Sequence, residues 1–481
     1  RWKTTTNCTH FEWIKTLMNR YHTYNTRTLC SMLSVHQHWD PLRVCAVGRS
    51  YPPEFYSRIK NHRVRKVLER IAIETEEDYQ KLIDLLEKFN VKVIRTDVSD
   101  DPEDYVVNGV LNVPPPMCPR DYTAMIGNTF YMPGSEYGEN LKTQEILGNL
   151  INDVTSGTNV EASLAKKIED FFEPNDFTEE EALTHLRGRI KLDNYNIPYL
   201  RMKENKSKYY DFKTDVKLRS HQQKKGSLLL HDIIASQTQT IGSNFKFPNH
   251  KRFSAWTSIE NFLKDNDVPI VYDTYVNSAC TTRIGKDLFF TTMNAVDELY
   301  RDKIHARWKE LFPDYNVHLL SLGGHSDGWY CPVAPGLIIS LFPPETYEET
   351  FPDWKVVSLP NQSWNKVKEF QKLKKKNKGK WWIPGEEDND DLIDYVETWL
   401  SDWVTYVEET VFDVNMLVID RQNVVCNNYN REVFDAFKKH GITPHIINFR
   451  HRYFWDGGLH CITSDIARDG ERQDWLSRDR A

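Results

Sequence analysis

The sequence has 481 residues, a formal net charge of −7 and 12% aromatic side chains. This composition is typical of a globular protein with a sizeable core, and the mixed charges argue against a general nucleic-acid binder. No apolar run approaches the ~20 residues that a bilayer-spanning helix needs, so we expect no membrane partner. The eight cysteines lack a Cys-x-x-Cys pair, and we interpret them as free thiols in a reducing compartment, the cytoplasm.

The first elements alternate between helix and strand. Residues 1–34 are basic and poor in acidic side chains, and we predict that they form an N-terminal extension. Residues 39–49 predict a turn followed by a short apolar strand. A helix is predicted over residues 75–90, because Thr75 is a suitable cap and an apolar stripe follows it. Residues 91–94 then predict a strand.

A hairpin, a helix and a strand recur along the chain. Each predicted hairpin is centred on a tight turn, often with glycine, and several are followed by a helical pattern and a further apolar strand. Repeats of one such unit are typical of a radial or stacked architecture. The predicted hairpins lie at residues 122–132, 271–290, 329–341 and 416–425, with helices from Asn294 and Asn430 and strands at 317–320 and 446–449.

A charged insertion is predicted at about residues 365–410. Residues 372–380 are strongly basic, residues 386–391 are strongly acidic, and a Trp-rich helical pattern follows near 392–409. A nucleic-acid patch is one interpretation of the lysines. A solvated loop is favoured instead, because the opposite charges stand only a few residues apart.

A cysteine near the C-terminus is a candidate nucleophile. Cys461 follows His460 and the paired glycines Gly457 and Gly458, and glycines let the backbone approach a ligand closely. Cysteine reactivity depends on the thiol pKa and its surroundings. The alternative is a buried, inert thiol, as most lone cysteines are.

Two further pairs of residues are candidates for proton transfer and binding. His325 and Asp327 precede a predicted hairpin, and on a strand they would face the same way. A histidine of near-neutral pKa suits proton shuttling. A glycine-rich surface turn is the alternative. Arg120 and Asp121 follow a proline-rich loop, and they could pair with each other or with solvent.

Taken together, six motifs resemble the amidinotransferase family in their chain order. This is the glycine and inosamine-phosphate amidinotransferase group of the guanidine-modifying, or pentein, superfamily. The resemblance covers roughly residues 35–470, and the ordered set is more specific than any one motif. The motifs are Trp39-Asp40-Pro41-Leu42 with Val47-Gly48-Arg49, Pro119-Arg120-Asp121 with Gly127-Asn128, Arg283-x-Gly285-Lys286-Asp287, His325-x-Asp327 with Pro335-Gly336, Asp413-Val414-Asn415-Met416, and Gly457-Gly458-x-His460-Cys461-x-Thr463.

The resemblance implies a fold and a set of site residues. The fold would be α/β, a five-bladed α/β propeller of repeated hairpin–helix–strand modules around a central active site, formed by one catalytic domain over residues 35–475. Cys461 matches the family's nucleophile and His325 its general acid and base. Asp121 and Asp327 match the carboxylates that grip the guanidinium, and we add Arg120 beside them as a substrate-binding residue.

The implied reaction is a ping-pong transfer. Cys461 attacks the guanidino carbon of a donor, arginine, and His325 protonates the departing ornithine. An acceptor amine then takes the amidino group from the cysteine. The implied partners are therefore small molecules, neither a metal nor an organic cofactor is required, and a homodimer remains an option.

The sequence departs from the family at two positions. Asn277 stands where the family places a third catalytic carboxylate, and an asparagine carries no charge. Asp273 shares its predicted strand face but lies ~13 Å along the strand. Pro344 lies near the position where animal glycine amidinotransferases carry an arginine for the substrate carboxylate, which argues against glycine as the acceptor.

Two other functions remain open at this point. An arginine deiminase of the same superfamily would use water as the acceptor, although the Trp39–Leu42 and Asp413–Met416 motifs favour the transferase. The asparagine at position 277 also allows a catalytically weakened protein that binds guanidinium compounds. A papain-like protease is a poor match, because its histidine follows its cysteine whereas His325 precedes Cys461.

Overall fold

The fold is seen in a computed structural model that describes residues 33–100, 114–132, 255–272, 276, 278–292, 301–323, 325–359, 381–400, 403–404 and 411–476, with two short strands between residues 106 and 111. Residues 1–32 of the predicted extension, Asp273, Asn277 and the lysine-rich part of the predicted insertion lie outside the described residues. None of the helices found in the described ranges is long and apolar enough to cross a bilayer.

The described chain is α/β, as predicted, and its strands form small mixed sheets. The helices are α1 (His62–Lys88), α2 (Thr257–Asp265), α3 (Arg301–Leu311), α4 (Asp390–Trp399), α5 (Val411–Val414), α6 (Arg431–Lys439) and α7 (Arg452–Trp455). The strands are β1 (Leu42–Val47), β2 (Lys92–Arg95), β3 (Val106–Val107), β4 (Val110–Leu111), β5 (Ala124–Ile126), β6 (Thr129–Met132), β7 (Ile270–Tyr272), β8 (Thr281–Ile284), β9 (Asp287–Thr292), β10 (Asn316–Gly323), β11 (Tyr330–Ala334), β12 (Leu337–Ser340), β13 (Lys355–Ser358), β14 (Leu417–Asp420), β15 (Asn423–Cys426), β16 (Thr443–Ile446) and β17 (Thr463–Arg468).

One sheet pattern occurs five times among the described strands. In each three-stranded sheet, the middle strand pairs antiparallel with one neighbour and parallel with the other. Four of the sheets are built from consecutive strands, whereas the fifth joins β17, near the C-terminus, to β1 and β2. The strand that follows Cys461 therefore lies beside the first strand of the chain.

The longest helix begins earlier than the sequence predicted. α1 starts at His62, where the side chain of Asn61 accepts hydrogen bonds from the backbone N–H groups of Arg63 and Val64. Thr75, the predicted cap, lies buried within the helix, and its hydroxyl accepts a hydrogen bond of 2.8 Å from the indole N–H of Trp455. The prediction was wrong because Asn61, and not Thr75, supplies the side-chain oxygen that caps the first turn of the helix.

The second predicted hairpin is also assigned differently. β7 pairs in parallel with β6 and completes the preceding sheet, whereas β8 is the hairpin partner of β9. The turn residue Gly285 has a φ of 63°, which glycine adopts without strain. β8 reads Thr-Thr-Arg-Ile but is buried throughout, so its polar composition concealed a core strand. The last predicted strand lies at β16, a few residues before its predicted position.

The C-terminal part of the predicted insertion belongs to the core. α4 begins at the N-cap Asn389 and packs against α1. Its buried side chains join the same apolar cluster as α1, together with Trp381 and Trp403. α4 therefore agrees with the helical pattern predicted near residues 392–409, whereas the lysines that were interpreted as a solvated loop lie outside the described residues.

Candidate active site

The turn that carries Cys461 connects α7 to β17. Asp456 ends α7 in the left-handed conformation, with a φ of 52°. The paired glycines follow, and each lies too close to a neighbour to bear a side chain. A Cβ on Gly457 would lie 2.9 Å from Sγ of Cys118, and one on Gly458 would lie 2.4 Å from Oδ1 of Asn415. The glycines therefore let this turn pack tightly against two other segments.

Asn415 holds this turn from the side of β14. Its Oδ1 accepts hydrogen bonds from the backbone N–H groups of His460, at 2.9 Å, and Cys461, at 3.2 Å. Its Nδ2 donates to Sγ of Cys461 at 3.0 Å and to the carbonyl of Asp327 at 3.2 Å. One buried amide thus contacts the thiol, its backbone and the segment that carries Asp327.

Asp327 lies between Cys461 and His460. Its Oδ2 accepts a hydrogen bond from Nδ1 of His460 at 2.8 Å and one from Sγ of Cys461 at 3.4 Å. The prediction that His325 and Asp327 share a strand face was wrong, because residues 326–328 form a 3₁₀ turn before β11. Even so, both side chains reach the cluster of acidic groups around Cys461.

His325 lies against the second predicted carboxylate. Its Nδ1 is 3.6 Å from Oδ1 of Asp121, and the two side chains are 34% and 21% exposed, respectively. Burial lowers the pKa of His325, but the negative charges of Asp121, Asp327 and Asp456 outweigh it and raise the pKa above its usual value. His325 therefore keeps its proton to a higher pH than a free histidine does.

The acidic groups also perturb one another. Burial raises the pKa of Asp121 to about 7, and the charges of Asp327 and Asp456 add to this effect. Burial would raise the pKa of Asp327 too, but the hydrogen bond from His460 and nearby cations lower it instead. The carboxylate of Asp327 is thus charged at neutral pH, whereas the carboxyl group of Asp121 loses its proton near neutral pH.

The thiol is protonated in this site. Burial raises the pKa of Cys461 well above its usual value, and the charges of Asp327 and Asp121 raise it further. The pKa of His460 is lowered to about 4 by burial and by Arg120. The imidazole of His460 is therefore neutral and carries its proton on Nδ1, from which it donates a hydrogen bond to Asp327. An added cation in this cluster would favour the thiolate.

Arg120 lies beneath the turn that carries Cys461, away from solvent. Its fully buried Nε donates to the carbonyls of His460, at 2.7 Å, and Thr463, at 2.8 Å. Its Nη2 lies 3.2 Å from Oδ1 of the buried Asp465. These contacts hold the backbone on both sides of Cys461, which is not the substrate contact that we expected from the sequence.

Asp465 is the centre of a buried ionic cluster. Arg283 donates to it at 2.7 and 2.9 Å, and Arg468 donates at 2.7 Å. Burial alone would raise the pKa of Asp465, but Arg283, Arg468 and Arg120 together lower it well below its usual range. Through their other donors, Arg283 reaches the carbonyl of Met125 in β5 and Arg468 that of Val418 in β14.

The neighbours of Asn277 pack against the segment that carries Asp121. Ser278 donates its backbone N–H to the carbonyl of Thr123 at 3.0 Å, and Ala279 donates to the carbonyl of Arg120 at 3.2 Å. The backbone N–H of Ser326 in turn donates to the carbonyl of Ala279 at 2.7 Å. The chain around position 277 therefore connects the two segments that bear the site's carboxylates.

Sequence reasoning gave no role to three residues of this site. Asn415 and His460 stood within the quoted motifs, and only their position in the motifs could have drawn attention to them. Asp456 precedes the paired glycines, and its charge acts on both Asp121 and His325. Across the part of the chain that the structure describes, no group of three or more His, Cys, Asp or Glu side chains could hold a metal ion.

Replacing Asp121 with asparagine is expected to stabilise the fold above neutral pH. Because the folded-state pKa of Asp121 is raised to about 7, its contribution to stability is present below the unfolded pKa and is lost as the pH rises through about 7. The unfolding midpoint of the variant should exceed that of the parent by a few degrees at about pH 8 and by less at about pH 5. The exposed Asp267 (φ 54°), replaced likewise, should change neither midpoint, and an equal shift at both pH values for Asp121→Asn would contradict the assignment.

Comparison with curated proteins confirms the resemblance to amidinotransferases. An L-arginine:L-lysine amidinotransferase from Pseudomonas savastanoi pv. phaseolicola is 24% identical over 226 residues, which cover 46% of this chain and 52% of that protein. A mitochondrial glycine amidinotransferase from Xenopus tropicalis is 27% identical over 203 residues, covering 40% of this chain and 39% of that protein. The chain thus aligns with about half or less of these relatives, and no protein-family model matches it.

Two solved amidinotransferase structures align with most of this chain. An inosamine-phosphate amidinotransferase from Streptomyces griseus aligns with a TM-score of 0.44 and 16% identity, covering 93% of this chain and all (100%) of that one. An amidinotransferase of saxitoxin biosynthesis from Microseira wollei aligns with a TM-score of 0.43 and 15% identity, covering 92% of this chain and 100% of that one.

Proposed function

We propose that this chain is an amidinotransferase that moves the amidino group of arginine to an acceptor amine through an amidino-cysteine intermediate. The observation that carries the proposal is the contact between Sγ of Cys461 and Oδ2 of Asp327, at 3.4 Å, inside a cluster that also holds Asp121 and His325. Such a cluster combines a nucleophile, carboxylates for a cation and a proton carrier. The similarity to curated amidinotransferases supports the same reaction class.

The carboxylates suit a guanidinium group. A planar cation with several N–H donors is bound best by carboxylates that accept hydrogen bonds in its plane. Asp327 is charged at neutral pH, and a bound cation would lower the raised pKa of Asp121 and hold it charged as well. The same cation would lower the pKa of the Cys461 thiol. Donor binding would therefore favour loss of the thiol proton to solvent and leave the thiolate beside the carbon that it attacks.

The transfer then proceeds in two balanced steps. The Cys461 thiolate attacks the guanidino carbon, the bond from that carbon to Nε of arginine breaks, and His325 gives its proton to this nitrogen, which leaves as the side-chain amine of ornithine. The acceptor amine next attacks the amidino carbon of the modified cysteine. His325 removes the acceptor's proton, and Cys461 leaves as the thiolate. The raised pKa of His325 suits the first step, in which it must start protonated.

Two predicted site residues take supporting roles in this proposal. Arg120 positions the backbone around Cys461 through its donors to His460 and Thr463. Asn277, outside the described residues, stands at the family's carboxylate position and would contact the substrate or His325 as an uncharged hydrogen-bond partner. Both roles follow from position, and neither residue accepts or donates the transferred proton.

The proposed architecture is a five-bladed α/β propeller, formed by one domain over residues 35–475 with an insertion at about 365–410. The repeated three-stranded sheets support it, as does the pairing of β17 with β1, which brings the two ends of the described chain into one sheet. The arginines around Asp465 also reach carbonyls in β5 and β14, as expected for sheets arranged around a common centre.

The proposed function is tested by product analysis. The protein is incubated with arginine labelled in its guanidino carbon and a panel of primary amines, and the products are identified by mass spectrometry. We expect a labelled guanidino compound from at least one amine, together with ornithine. Labelled citrulline or urea-type products alone would indicate hydrolysis, and the absence of any labelled product would contradict catalysis of either kind.

Restoring the carboxylate at position 277 is expected to raise the turnover of arginine. A charged group there would stabilise the protonated His325, and the analogous Asp→Asn change in serine proteases costs ~10⁴ in rate. Steady-state kinetics of Asn277→Asp should therefore show a higher kcat than the parent protein. The same substitution at the exposed Asn266 serves as a control for the added charge. A large loss of activity in Asn277→Asp would show that the asparagine has a role of its own.

A further inference from the structure

We propose that Asn415 is a further catalytic residue, whose side-chain amide stabilises the thiolate of Cys461 and holds the sulfur in line for attack. The inference rests on the proposed function only in taking Cys461 as the nucleophile. It gives a role to Asn415, a residue of the Asp413–Met416 motif that has no part in the proposed binding of the guanidinium or in the proton transfer by His325.

The orientation of this amide is fixed by its partners. Oδ1 faces two backbone donors, the N–H groups of His460 and Cys461, so the oxygen must point toward them. Nδ2 consequently faces two acceptors, Sγ of Cys461 at 3.0 Å and the carbonyl of Asp327 at 3.2 Å. A flipped amide would place an oxygen against an oxygen and an N–H₂ group against two N–H groups. The donor on the sulfur is therefore dictated by the backbone.

The surroundings keep Asn415 in place. The residue is only 1% exposed, and Nδ2 of Asn427 donates to its carbonyl at 3.0 Å. Gly458 leaves just enough room for the side chain, since a Cβ there would clash with it. The amide cannot leave the sulfur without moving the turn that carries Cys461.

The other side chains whose charges act on Cys461 oppose ionisation of the thiol, whereas a backbone hydrogen bond from Gly458 favours it. Asp327 accepts a hydrogen bond from the neutral thiol, but it repels the thiolate. The charge of Asp121 and the second thiol, Cys118, act in the same direction. The cation Arg120 and the neutral His460 bond to the backbone and to Asp327 rather than to the sulfur. Among the described residues, Asn415 is the one whose side chain donates a hydrogen bond to Sγ.

The consequence appears when the thiol loses its proton. The hydrogen bond to Asp327 disappears with that proton, whereas the one from Asn415 strengthens, because hydrogen bonds to a charged acceptor are shorter and stronger. Asn415 thus favours the thiolate over the thiol by the difference in free energy between its hydrogen bond to the charged sulfur and its hydrogen bond to the neutral sulfur. The same contact fixes where the sulfur lies while the guanidinium enters the cluster.

Two substitutions separate this role from a structural one. Asn415→Asp keeps the oxygen that accepts from the two backbone N–H groups but places a second oxygen against the sulfur, whereas Asn415→Ala removes both functions. If Asn415 acts on the sulfur, the apparent thiol pKa should rise by about one unit in Asn415→Ala, and further in Asn415→Asp. If its role is only structural, the aspartate should be the milder change.

The readout is alkylation of Cys461 as a function of pH, measured on the full chain. Iodoacetamide labelling of the peptide that contains Cys461 is followed by mass spectrometry, which separates it from the other thiols. Asn389→Asp is the matched control: this buried residue also donates a side-chain hydrogen bond, to Glu386. It is the N-cap of α4, away from Cys461, so the alkylation profile of Cys461 in this variant should match the parent's. An unchanged profile in both Asn415 variants, or a larger shift in alanine than in aspartate, would overturn the proposal.

The test does not depend on turnover, and it survives a variant that fails to fold. If the thiol pKa rises in the two Asn415 variants as expected, but the parent protein transfers no amidino group, the role of Asn415 is upheld and the proposed function is contradicted. Should both variants unfold, the parent protein labelled with ¹⁵N in its asparagine side chains supplies the measurement. We expect one side-chain amide to shift as Cys461 ionises, and this shift to vanish in Cys461→Ser; its absence in the parent would overturn the proposal.

Discussion

Replacing Cys461 with alanine is expected to abolish amidino transfer from arginine, with a loss on the order of 10⁶-fold in kcat. In the proposed mechanism the sulfur forms the covalent intermediate, and alanine offers no substitute for it. The fold should persist, because Arg120 and Asn415 hold the turn through backbone groups of residues 460, 461 and 463 that the substitution leaves in place.

A second buried cysteine provides the control for this variant. Cys426 in β15 is 3% exposed, and Sγ contacts the sulfur of Met416. Cys426→Ala should lower the unfolding midpoint slightly through lost packing and retain turnover. If Cys461→Ala turned over arginine at the parental rate, the nucleophile assignment would be wrong, whatever the effect on stability.

Replacing Arg120 with methionine is expected to lower the free energy of unfolding by about 3–5 kcal/mol, because it breaks a buried ion pair and leaves Asp465 with one cation fewer. The carbonyls of His460 and Thr463 would also lose their donor. Chemical denaturation measures this loss directly. The turn that carries Cys461 should loosen as well, so kcat should fall even under conditions where the variant is folded.

An exposed ion pair supplies the comparison for Arg120. Arg43 and Asp469 are 46% and 54% exposed and pair at 2.5 Å, and exposed pairs of this kind contribute little to stability. Arg43→Met should therefore leave both the free energy of unfolding and turnover within error. If Arg120→Met kept full stability and raised only the KM for arginine, its guanidinium would be part of the substrate site after all.

The sequence predicted the class of fold and the cluster of charged groups more reliably than the partners of each group. Short apolar runs separated by glycine turns predict repeated hairpins, and the described strands form repeated three-stranded sheets. The ordered motifs likewise predicted that Cys461, Asp327, Asp121 and His325 would lie together. The spacing of the motifs along the chain does not give distances between side chains, however. The contacts of Asn415 and His460 are therefore seen only in the folded structure.

The errors have physical causes that a single sequence does not display. Thr75 has the residue type of a helix cap, but in the structure it lies within α1 and accepts a hydrogen bond from Trp455. β8 looks polar because Arg283 is in it, and that charge is buried only because Asp465 neutralises it. Arg120 looked like a substrate contact because it stands beside Asp121, but its side chain is fully buried against the turn of Cys461, whereas that of Asp121 lies partly exposed beside His325.

The central claim is that Cys461 carries the amidino group between two half-reactions, and one measurement tests it most directly. The protein is mixed with guanidino-labelled arginine in the absence of any acceptor amine, quenched with acid, and digested, and the peptide containing Cys461 is examined by mass spectrometry. We predict a labelled amidino adduct on Cys461, accompanied by one ornithine released for each adduct, and loss of the label when an acceptor amine is added before the quench. Turnover to a guanidino product with Cys461 unlabelled at every time, or labelling of a different cysteine, would contradict this mechanism.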